Sequence, residues 1–310
     1  MAIQFTEFFQ ALNPPIQTLS DSVTETYNVH VSIKREDLNH PEIVGNKLRK
    51  LKYNLIAAKN QDASSLLSFG GAYSNHILAL SAAGRLFDIP TIGVIRGEEL
   101  ANTELNPVLQ KARENGMHLH FILREQYKNK YDHSVERILR ERFGQYYMVP
   151  EGGSNELGVK GAAEIVSDLD NRYDVITCAC GTGGTLAGII KGVFEHPSLA
   201  CDVLGFSVLK GGDFLHHDIE QMITSDISSQ VNWTISTDYH FGGYAKMKSP
   251  LLDFMKWFQE THNIDLDTIY TGKMVYGVYQ LIESGYFTAG SHILMTHTGG
   301  TQTAKIEDRI

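Results

Sequence analysis

Short apolar stretches alternate with helix-forming stretches along most of this chain, and this alternation limits the folds that it can adopt. Strands are predicted at residues 29–34, 64–69, 91–95, 118–123, 146–149, 173–179, 202–208, 233–236 and 291–295. Helices are predicted between them, at residues 45–59, 77–86, 107–115, 134–142, 158–169, 186–194, 250–261 and 273–284. Strands that are separated by helices pair in parallel through right-handed crossovers. The pattern therefore predicts an α/β protein with two lobes, each built on an open twisted parallel sheet.

Residues 150–155 are the best candidate for a boundary between the lobes, because Pro150, Gly152 and Gly153 break the pattern there. We predict a large domain formed by residues 1–44 and 150–310, and a small domain formed by residues 45–149. The strand at residues 29–34 alternates apolar and polar side chains, as a half-buried strand does, and is assigned to the large domain.

Composition excludes several classes of protein. The chain has 310 residues, of which 42% are hydrophobic and 20% charged, which is typical of a folded globular protein. The net charge is −9 and no basic run contains interleaved aromatic residues, so we expect no nucleic-acid partner. No apolar run approaches the roughly 18 residues that a membrane helix needs, and residues 1–5 do not resemble a secretory leader. We therefore expect a cytoplasmic protein without a membrane partner.

The cysteines and histidines predict no metal site. Cys178, Cys180 and Cys201 have no framework spacing and are interpreted as buried free thiols, with a redox or metal-binding pair as the alternative. The histidines do not recur at the spacing of metal ligands, so no metal is expected.

Two lysines stand at the start of the first of these helices. Lys47 and Lys50 are three residues apart and share one helix face, and Gly45 and Asn46 are typical of the turn before a helix. The partial positive charge of a helix N-terminus and a neighbouring ammonium should both lower the pKa of Lys47. A neutral amine is what Schiff-base chemistry needs, although two solvated lysines are the simpler interpretation of this pair alone.

The second chemical feature is a glycine turn between a predicted strand and a predicted helix. It consists of Gly181, Thr182, Gly183, Gly184 and Thr185. Small residues there let backbone N–H groups and the helix dipole face an anion. The turn lacks the Lys of a P-loop and the third Gly of a dinucleotide motif, so a single phosphate fits best. A purely structural tight turn is the alternative.

A further glycine turn, Gly70-Gly71, precedes Ser74, Asn75 and His76, and a third turn, Gly299-Gly300, follows the last predicted strand. The Ser74 hydroxyl and the amides of Asn75 and His76 could bind a substrate carboxylate, and Asn75 could reach a ring hydroxyl. A helix cap at Ser74 or Asn75 is the alternative. A lysine of lowered pKa and two anion-binding turns together indicate pyridoxal 5'-phosphate.

At this point the residues carry a resemblance to a known family. The chain resembles the fold-type II (tryptophan synthase beta-like) pyridoxal-phosphate enzymes, in the branch that holds 1-aminocyclopropane-1-carboxylate deaminase and D-cysteine desulfhydrase. Five motifs match in order, namely Lys-Arg-Glu-Asp-Leu, Gly-Asn-Lys-x-Arg-Lys-Leu, Gly-Gly-x-x-Ser-Asn-His, Glu-Gly-Gly-Ser-Asn and Tyr-Thr-Gly-Lys. The resemblance extends from about Ile16 to Thr301, which is nearly the whole chain.

The resemblance implies a role for each matching residue. Lys47 forms the Schiff base and Lys50 helps to hold the phosphate, which lies in the turn from Gly181 to Thr185. Asn75 binds the ring hydroxyl, and Ser74, Asn75 and His76 hold the substrate carboxylate. Tyr244 and Tyr270 match the two active-site tyrosines; taken alone, each would be interpreted as an amphipathic core residue. The family also implies a homodimer.

Two positions depart from the cyclopropane deaminases. Thr271 stands where they have Glu after the second tyrosine, and Thr298 stands where they have Leu before the last Gly-Gly. A carboxylate at the pyridine nitrogen keeps the ring a strong electron sink, whereas a threonine hydroxyl does not. Ring opening should need that strong sink, while β-elimination has a good leaving group and needs less help. Thr271, as a cofactor contact, and Thr298, as a substrate contact, therefore favour β-elimination.

The sequence thus predicts a pyridoxal-phosphate lyase that acts on a small amino acid, with D-cysteine as the best candidate and pyruvate, hydrogen sulfide and ammonia as products. Either Lys47 or, as the second choice, Tyr270 removes the Cα proton. One alternative is 1-aminocyclopropane-1-carboxylate deaminase, which yields 2-oxobutyrate and ammonia. The other is a non-catalytic, nucleotide-binding α/β protein in which Lys47 is only a surface residue.

Overall fold

The computed structural model describes residues 8–9 and 12–300 of the chain, and the part of the N-terminus in which no leader was expected lies outside this range. Ten strands are present, namely β1 (Ile16–Leu19), β2 (His30–Lys34), β3 (Leu66–Gly70), β4 (Thr91–Arg96), β5 (His118–Ile122), β6 (Tyr147–Met148), β7 (Val175–Cys180), β8 (Asp202–Ser207), β9 (Trp233–Ser236) and β10 (His292–Thr296), in the described residues.

The helices in this part of the chain separate most of the strands. They are α1 (Ser22–Thr26), α2 (Asn46–Asn60), α3 (Asn75–Phe87), α4 (Pro107–Glu114), α5 (Arg124–Lys128), α6 (His133–Phe143), α7 (Glu156–Ala163), α8 (Gly184–Glu195), α9 (Phe214–Met222), α10 (Ser225–Gln230), α11 (Ser249–His262) and α12 (Thr271–Glu283). Short 3-10 helices span Glu36–Leu38, Glu98–Asn102 and Glu151–Gly153. Helix α2 is called the lysine helix below.

The strands form two sheets, so the α/β architecture predicted from the sequence is confirmed. One sheet has six strands in the order β1-β2-β10-β7-β8-β9, and the other has four in the order β5-β4-β3-β6. All pairs are parallel except β1 with β2, which are antiparallel. The predicted parallel pairing is therefore confirmed for the strands connected by helices, and the additional edge strand β1 makes the six-stranded sheet mixed. Strand β1 was not predicted because three of its four residues are exposed and give no alternating pattern.

The grouping of strands supports a division into two domains. The four-stranded sheet uses residues 66–148, and the six-stranded sheet uses residues 16–34 and 175–296. We propose on this basis that residues 45–149 form a small domain and that residues 1–44 and 150–310 form a large one. The lysine helix packs against α7, on the other side of that division. The proposed small domain is therefore joined to the large one through the lysine helix.

The central strands β10, β7 and β8 of the six-stranded sheet are buried on both faces, as expected of strands connected by helices. Ile176, Cys178 and Leu294 pack with α8 on one face, and Ala179, Ile293 and Met295 pack with α12 on the other. Cys178, Cys180 and Cys201 are buried and free, which confirms the interpretation of these cysteines as free thiols.

One helix prediction needs correction, and helices α5, α9 and α10 were not predicted from the sequence. The helix predicted to reach residue 169 ends at Ala163, because the following backbone changes to tight turns such as that from Ile165 N–H to the Ala162 carbonyl. Helices α9 and α10 lie in a stretch to which no helix was assigned. Helix α9 buries only Leu215 and Ile219, so its apolar pattern was too short to detect.

Candidate active site

A cavity of about 470 Å³ opens where the carboxyl ends of strands from both sheets meet. Ligands of parallel α/β sheets bind at this end of the strands. Its walls come from the start of the lysine helix, the turns after β3 and β7, the segment before α12 and the loop after β10. The sequence-predicted residues among those walls are Lys47, Ser74, Asn75, His76, Gly181, Thr182, Gly183, Thr185, Tyr244, Tyr270 and Thr298.

The lysine helix begins in close contact with the loop after β10, which forms another wall of the cavity. Gly45 is its N-cap, with φ of 71°, and a Cβ at this position would lie 1.9 Å from the Thr298 carbonyl oxygen. Only glycine is compatible with that approach. Asn46, which was expected to cap the helix, is its first residue instead, and its Nδ2 donates to Thr185 Oγ1 at 2.6 Å.

Lys47 lines the cavity and is half-buried. Burial lowers the pKa of Lys47 to about 8, while the charge of Asp267 acts in the opposite direction. The predicted direction is therefore confirmed, but the cause differs: the protein enclosure lowers this pKa, rather than the neighbouring Lys50. A substantial fraction of the amine is neutral near physiological pH, as Schiff-base chemistry requires.

Lys50 is fully buried beside the glycine turn. Its Nζ donates to Ser154 Oγ at 2.9 Å, and Ser154 Oγ lies 2.6 Å from Thr182 Oγ1. Burial, followed by the charge of Lys47, holds the pKa of Lys50 well below its usual range. No carboxylate pairs with this ammonium in the part of the chain that the structure describes. A buried amine without an anionic partner fits a site that receives an anion.

The glycine turn that faces Lys50 opens helix α8. Its N-cap Gly183 has φ of 76° and provides no side-chain cap. A Cβ at Gly184 would lie 2.5 Å from Ser154 Oγ and 2.8 Å from Lys50 Nζ, so the missing side chain leaves space beside both groups. A helix N-terminus, two hydroxyls and a buried amine are the donors that a phosphate needs, and the residues present therefore fit that group. Ser154 was not singled out from the sequence, although it belongs to the Glu-Gly-Gly-Ser-Asn motif.

The turn after β3 places Ser74, Asn75 and His76 at the N-terminus of α3. Ser74 caps the helix by accepting from Ile77 N–H at 3.3 Å, as in the structural alternative, and it also lines the cavity. His76 Nε2 lies 2.9 Å from Ser68 Oγ, while its buried Nδ1 has no partner among the described residues. Burial, with the charges of Lys47 and Lys50, holds the pKa of His76 well below its usual range, so the ring is neutral at pH 7.

Tyr244 and Tyr270 meet edge to face, with 5.9 Å between ring centroids. The Tyr244 hydroxyl donates to the Tyr73 carbonyl at 3.4 Å. Burial raises the pKa of Tyr244, and burial and the Tyr244 phenol raise the pKa of Tyr270 well above its usual range. Both phenols are therefore protonated at neutral pH, and each also packs against the core of the large sheet, as the alternative interpretation expected.

Thr271 and Thr298 occupy different kinds of position. Thr271 is the first residue of α12, is buried, and its Oγ1 has no partner among the described residues. Such an unpaired buried hydroxyl fits a site that awaits a hydrogen-bonding ligand. Thr298 lines the cavity and its carbonyl accepts from Asn46 N–H at 3.2 Å.

Sequence reasoning missed two charged residues that support this site. The buried carboxylate of Asp267 accepts from the backbone N–H groups of Ile269, Tyr270 and Thr271. The buried Lys273 donates to the His240 and Gly243 carbonyls at 2.9 and 2.8 Å, and thereby holds the turn before Tyr244. The Tyr-Thr-Gly-Lys motif was the available signal for Lys273, whereas no local pattern marked Asp267, which lies six residues before the predicted helix at 273–284.

No group of three or more His, Cys, Asp or Glu side chains is arranged to hold a metal ion among the residues that the structure describes. No helix in the described ranges has the length and apolar character needed to cross a membrane.

Comparison with known proteins places these observations in context. A family model described as pyridoxal-phosphate dependent enzyme matches residues 12–299. A bifunctional D-cysteine desulfhydrase/1-aminocyclopropane-1-carboxylate deaminase, mitochondrial, from Arabidopsis thaliana is 32% identical over 288 residues, which cover 86% of this chain and 71% of that protein. A putative 1-aminocyclopropane-1-carboxylate deaminase from Thermotoga maritima is 29% identical over 300 residues, covering 92% of this chain and 93% of that one.

Solved structures agree with these sequence relatives. The crystal structure of an ACC deaminase homologue superposes with a TM-score of 0.81 at 26% identity, covering 100% of this chain and 98% of the other. The structure of O-ureido-L-serine synthase superposes with a TM-score of 0.68 at 15% identity over 96% and 93% of the two chains, which shows a shared fold.

Proposed function

This chain belongs to the pyridoxal-phosphate dependent enzymes, in the 1-aminocyclopropane-1-carboxylate deaminase and D-cysteine desulfhydrase group, and on that premise we propose that it catalyses β-elimination of a small amino acid. D-Cysteine is the proposed substrate, and pyruvate, hydrogen sulfide and ammonia are the products. Thr271, in place of a carboxylate at the start of α12, is the observation on which this choice rests. Membership of an enzyme family argues against the non-catalytic, nucleotide-binding alternative.

Each part of pyridoxal phosphate is assigned to residues of the site whose chemistry fits it. Lys47 is proposed as the Schiff-base residue, and Lys50 and the glycine turn as the phosphate site. Asn75 is assigned to the ring hydroxyl and Thr271 to the ring nitrogen. The full set of proposed cofactor contacts is Lys47, Lys50, Asn75, Gly181, Thr182, Gly183, Gly184, Thr185 and Thr271. When bound, pyridoxal phosphate withdraws electrons from the amino acid's Cα and so makes its proton acidic.

The proposed substrate contacts hold the amino acid by its carboxylate. Ser74, Asn75 and His76 lie at the N-terminus of α3, which favours a negative charge. His76 is neutral there, so it can act as a hydrogen-bond donor or acceptor without adding a charge. Tyr244 and Thr298 complete the proposed substrate contacts from the other side of the cavity.

The pKa directions favour Lys47 over Tyr270 as the base that takes the Cα proton. An amine with a pKa of about 8 exchanges a proton readily at neutral pH. The phenol of Tyr270 has a strongly raised pKa and keeps its proton, so it serves better as a donor. As the proton moves to Lys47, the Cα–H electron pair forms the Cα–Cβ double bond and the Cβ–S pair leaves with hydrosulfide. Water then hydrolyses the released enamine to pyruvate and ammonia.

The second candidate function is 1-aminocyclopropane-1-carboxylate deamination to 2-oxobutyrate and ammonia. It is favoured by the names of the relatives from Thermotoga maritima and Arabidopsis thaliana. It would use the same Lys47, phosphate site and carboxylate site, so the two candidates differ chiefly at Thr271 and Thr298.

A substrate panel tests the proposal. The cofactor-loaded protein would be incubated with both enantiomers of cysteine and of serine and with 1-aminocyclopropane-1-carboxylate, and the 2-oxo acid would be identified. We expect pyruvate and sulfide from D-cysteine at the highest kcat/KM. Formation of 2-oxobutyrate from the cyclopropane at a higher kcat/KM would favour the second candidate instead.

A further inference from the structure

We propose that Asp267 is a positioning residue, which fixes Tyr270 at the wall of the cavity and the buried Thr271 next to it, and provides the counter-charge of Lys47. The inference rests on the proposed function for its catalytic meaning, but its first test needs neither substrate nor cofactor. Asp267 is 1% exposed, stands four residues before Thr271, the first residue of α12, and is not among the residues that line the cavity.

The carboxylate of Asp267 is held by the backbone that carries both functional side chains. Oδ1 accepts from the N–H groups of Ile269 at 2.9 Å and Tyr270 at 2.7 Å, and Oδ2 accepts from Thr271 N–H at 2.8 Å. The Asp267 carbonyl also accepts from Gly272 N–H at 2.9 Å. Four consecutive amides are thus fixed by one residue, so the directions of Tyr270 and Thr271 depend on it.

The same carboxyl group lies against the loop after β10 and close to α3. A Cβ built on Gly300 would be 2.9 Å from Asp267 Cγ and 3.1 Å from Asn75 Nδ2. Asp267 and Asn75 therefore approach the backbone of Gly300 from the two sheets. Asp267 therefore lies where the segment before α12, the loop after β10 and the start of α3 meet, and residues of all three segments line the cavity together with Lys47.

Asp267 is the carboxylate whose charge acts on Lys47 in the described residues. Lys50 from the same helix and His76 from α3 also face it, and both are disfavoured in their charged forms by Lys47. On the opposite side are the protonated phenols of Tyr244 and Tyr270.

In the described residues, three carboxylates line the cavity itself, and two of them form ion pairs with basic side chains. Glu42 forms an ion pair with Arg85, and Glu151 forms one with Lys130 at 3.2 Å. Asp218 lines the cavity from α9, on the side of the glycine turn. Burial is the main influence on the pKa of Lys47, and the charge of Asp267 opposes it in part.

This charge has a clear use in the proposed reaction. Lys47 must be neutral to form the Schiff base and must then accept the Cα proton. Burial favours the neutral amine, while a nearby carboxylate stabilises the ammonium that forms on proton transfer. Burial and Asp267 together would keep the two forms close in free energy, which suits a group that cycles between them.

The first test measures the amine itself in the cofactor-free protein. Asp267→Asn removes the charge and keeps one acceptor oxygen for the backbone amides. Lys47 would be acetylated with limiting acetic anhydride across a pH series, and its modification rate would be read by peptide mass spectrometry. We expect the profile to move to lower pH, with about fivefold faster modification at pH 7 for a decrease of one pKa unit. Asp265→Asn, at an exposed aspartate two residues earlier, is the matched control and should leave the profile unchanged.

A second measurement separates a positioning role from a purely structural one. Thermal unfolding and steady-state kinetics on the best substrate of the panel would be recorded for the same proteins. We expect Asp267→Asn to lower kcat at least tenfold with KM within about threefold, because the reacting groups and not the binding surface are displaced. Asp267→Glu should restore part of kcat.

An unchanged Lys47 profile in Asp267→Asn would overturn the proposal, whatever the effect on stability. If that variant does not fold, Asp267→Ser, which keeps a short acceptor for the helix N-terminus, replaces it with the same expected profile. Since the acetylation assay uses no substrate, a shifted profile in a protein that is inactive on D-cysteine would support Asp267 and refute only the proposed substrate.

Discussion

At the scale of single residues, two lysines that are one helical turn apart lie in different environments. Lys47 is half-buried and faces the cavity, whereas Lys50 is fully buried between the glycine turn and Ser154. Burial lowers the pKa of both, but only Lys47 has a carboxylate charge that opposes the effect. The pair thus combines one amine suited to covalent chemistry with one that requires an external anion.

Borohydride reduction distinguishes these two roles. Reduction of the cofactor-loaded protein should leave a pyridoxyl label on the peptide that contains Lys47, and Lys47→Ala should lose it. Lys50→Gln should keep the label on Lys47 while weakening cofactor binding by about 10- to 100-fold, the worth of one charge-assisted hydrogen bond. Peptide mass spectrometry and a cofactor titration measure the two effects. A label on Lys50 in the native protein would contradict the assignment.

The two threonines permit a second prediction at this scale. Replacing Thr271 with Glu and Thr298 with Leu together should raise kcat/KM for 1-aminocyclopropane-1-carboxylate relative to D-cysteine, because a carboxylate would reach the position proposed for the ring nitrogen. We expect a shift of at least tenfold in the ratio of the two values. Each single variant serves as the control, and an unchanged ratio in the double variant would count against the chemical argument.

At the scale of elements, the lack of a side chain at certain glycines defines the site. A Cβ at Gly184 would meet Ser154 Oγ and Lys50 Nζ, and the backbone at this residue is ordinary helix. Gly184→Ala should therefore fold but bind cofactor and inorganic phosphate at least tenfold more weakly. Gly71→Ala, whose Cβ would come no closer than 3.7 Å to another group, is the control for adding a methyl group beside the cavity. Equal affinities of both variants for phosphate would contradict the placement of the phosphate site.

Helices and strands with long apolar patterns were predictable, and short or exposed ones were not. The strand β9 at Trp233–Ser236 and the helix α11 at Ser249–His262 lie within one residue of their predicted ends. Helix α9 was missed because its sequence buries only two residues, and strand β1 because it is mostly exposed. These elements are stabilised by their neighbours in the fold, which a local pattern does not reveal.

Long-range contacts explain why only part of the site could be predicted. The structure brings most of the motif residues singled out from the sequence to one cavity. The sequence could not show that Asp267 acts on Lys47, since 220 positions separate them and only the tertiary fold joins them. It also could not show that burial, and not Lys50, lowers the pKa of Lys47.

At the scale of the whole molecule, a buried ion pair ties the lysine helix to the six-stranded sheet. Arg49, between the two lysines, binds Glu36 after β2 in bidentate fashion, with distances of 2.6 and 2.7 Å. Both side chains are nearly inaccessible, at 4% and 0% exposure. Glu164 after α7 approaches Arg49 from the other side and also accepts from Lys52 and Tyr53.

Breaking this pair should be costly. Arg49→Leu leaves the buried Glu36 without its ion-pair partner, with only the Asn39 amide at 3.3 Å still donating to it, and we expect the free energy of unfolding to fall by about 3–5 kcal/mol. Replacing Glu36 with Leu as well should restore much of the loss. Arg137→Ala, at an exposed pair on α6, should change stability by less than about 0.5 kcal/mol and is the control. Urea denaturation measures all three, and an equal effect of Arg49→Leu and Arg137→Ala would contradict the structural role of the pair.

The position of the cavity between the two sheets has a consequence for stability. A molecule bonded to Lys47 and held by the glycine turn at residues 181–185 would connect the two halves of the proposed domain division. Ligands that bind only the native state raise its stability by mass action. In scanning calorimetry we therefore expect the unfolding temperature to rise with the concentration of pyridoxal phosphate, and an unchanged temperature would contradict binding at this cavity. The concentration of pyridoxal phosphate would then affect how long the chain stays folded as well as whether it is active.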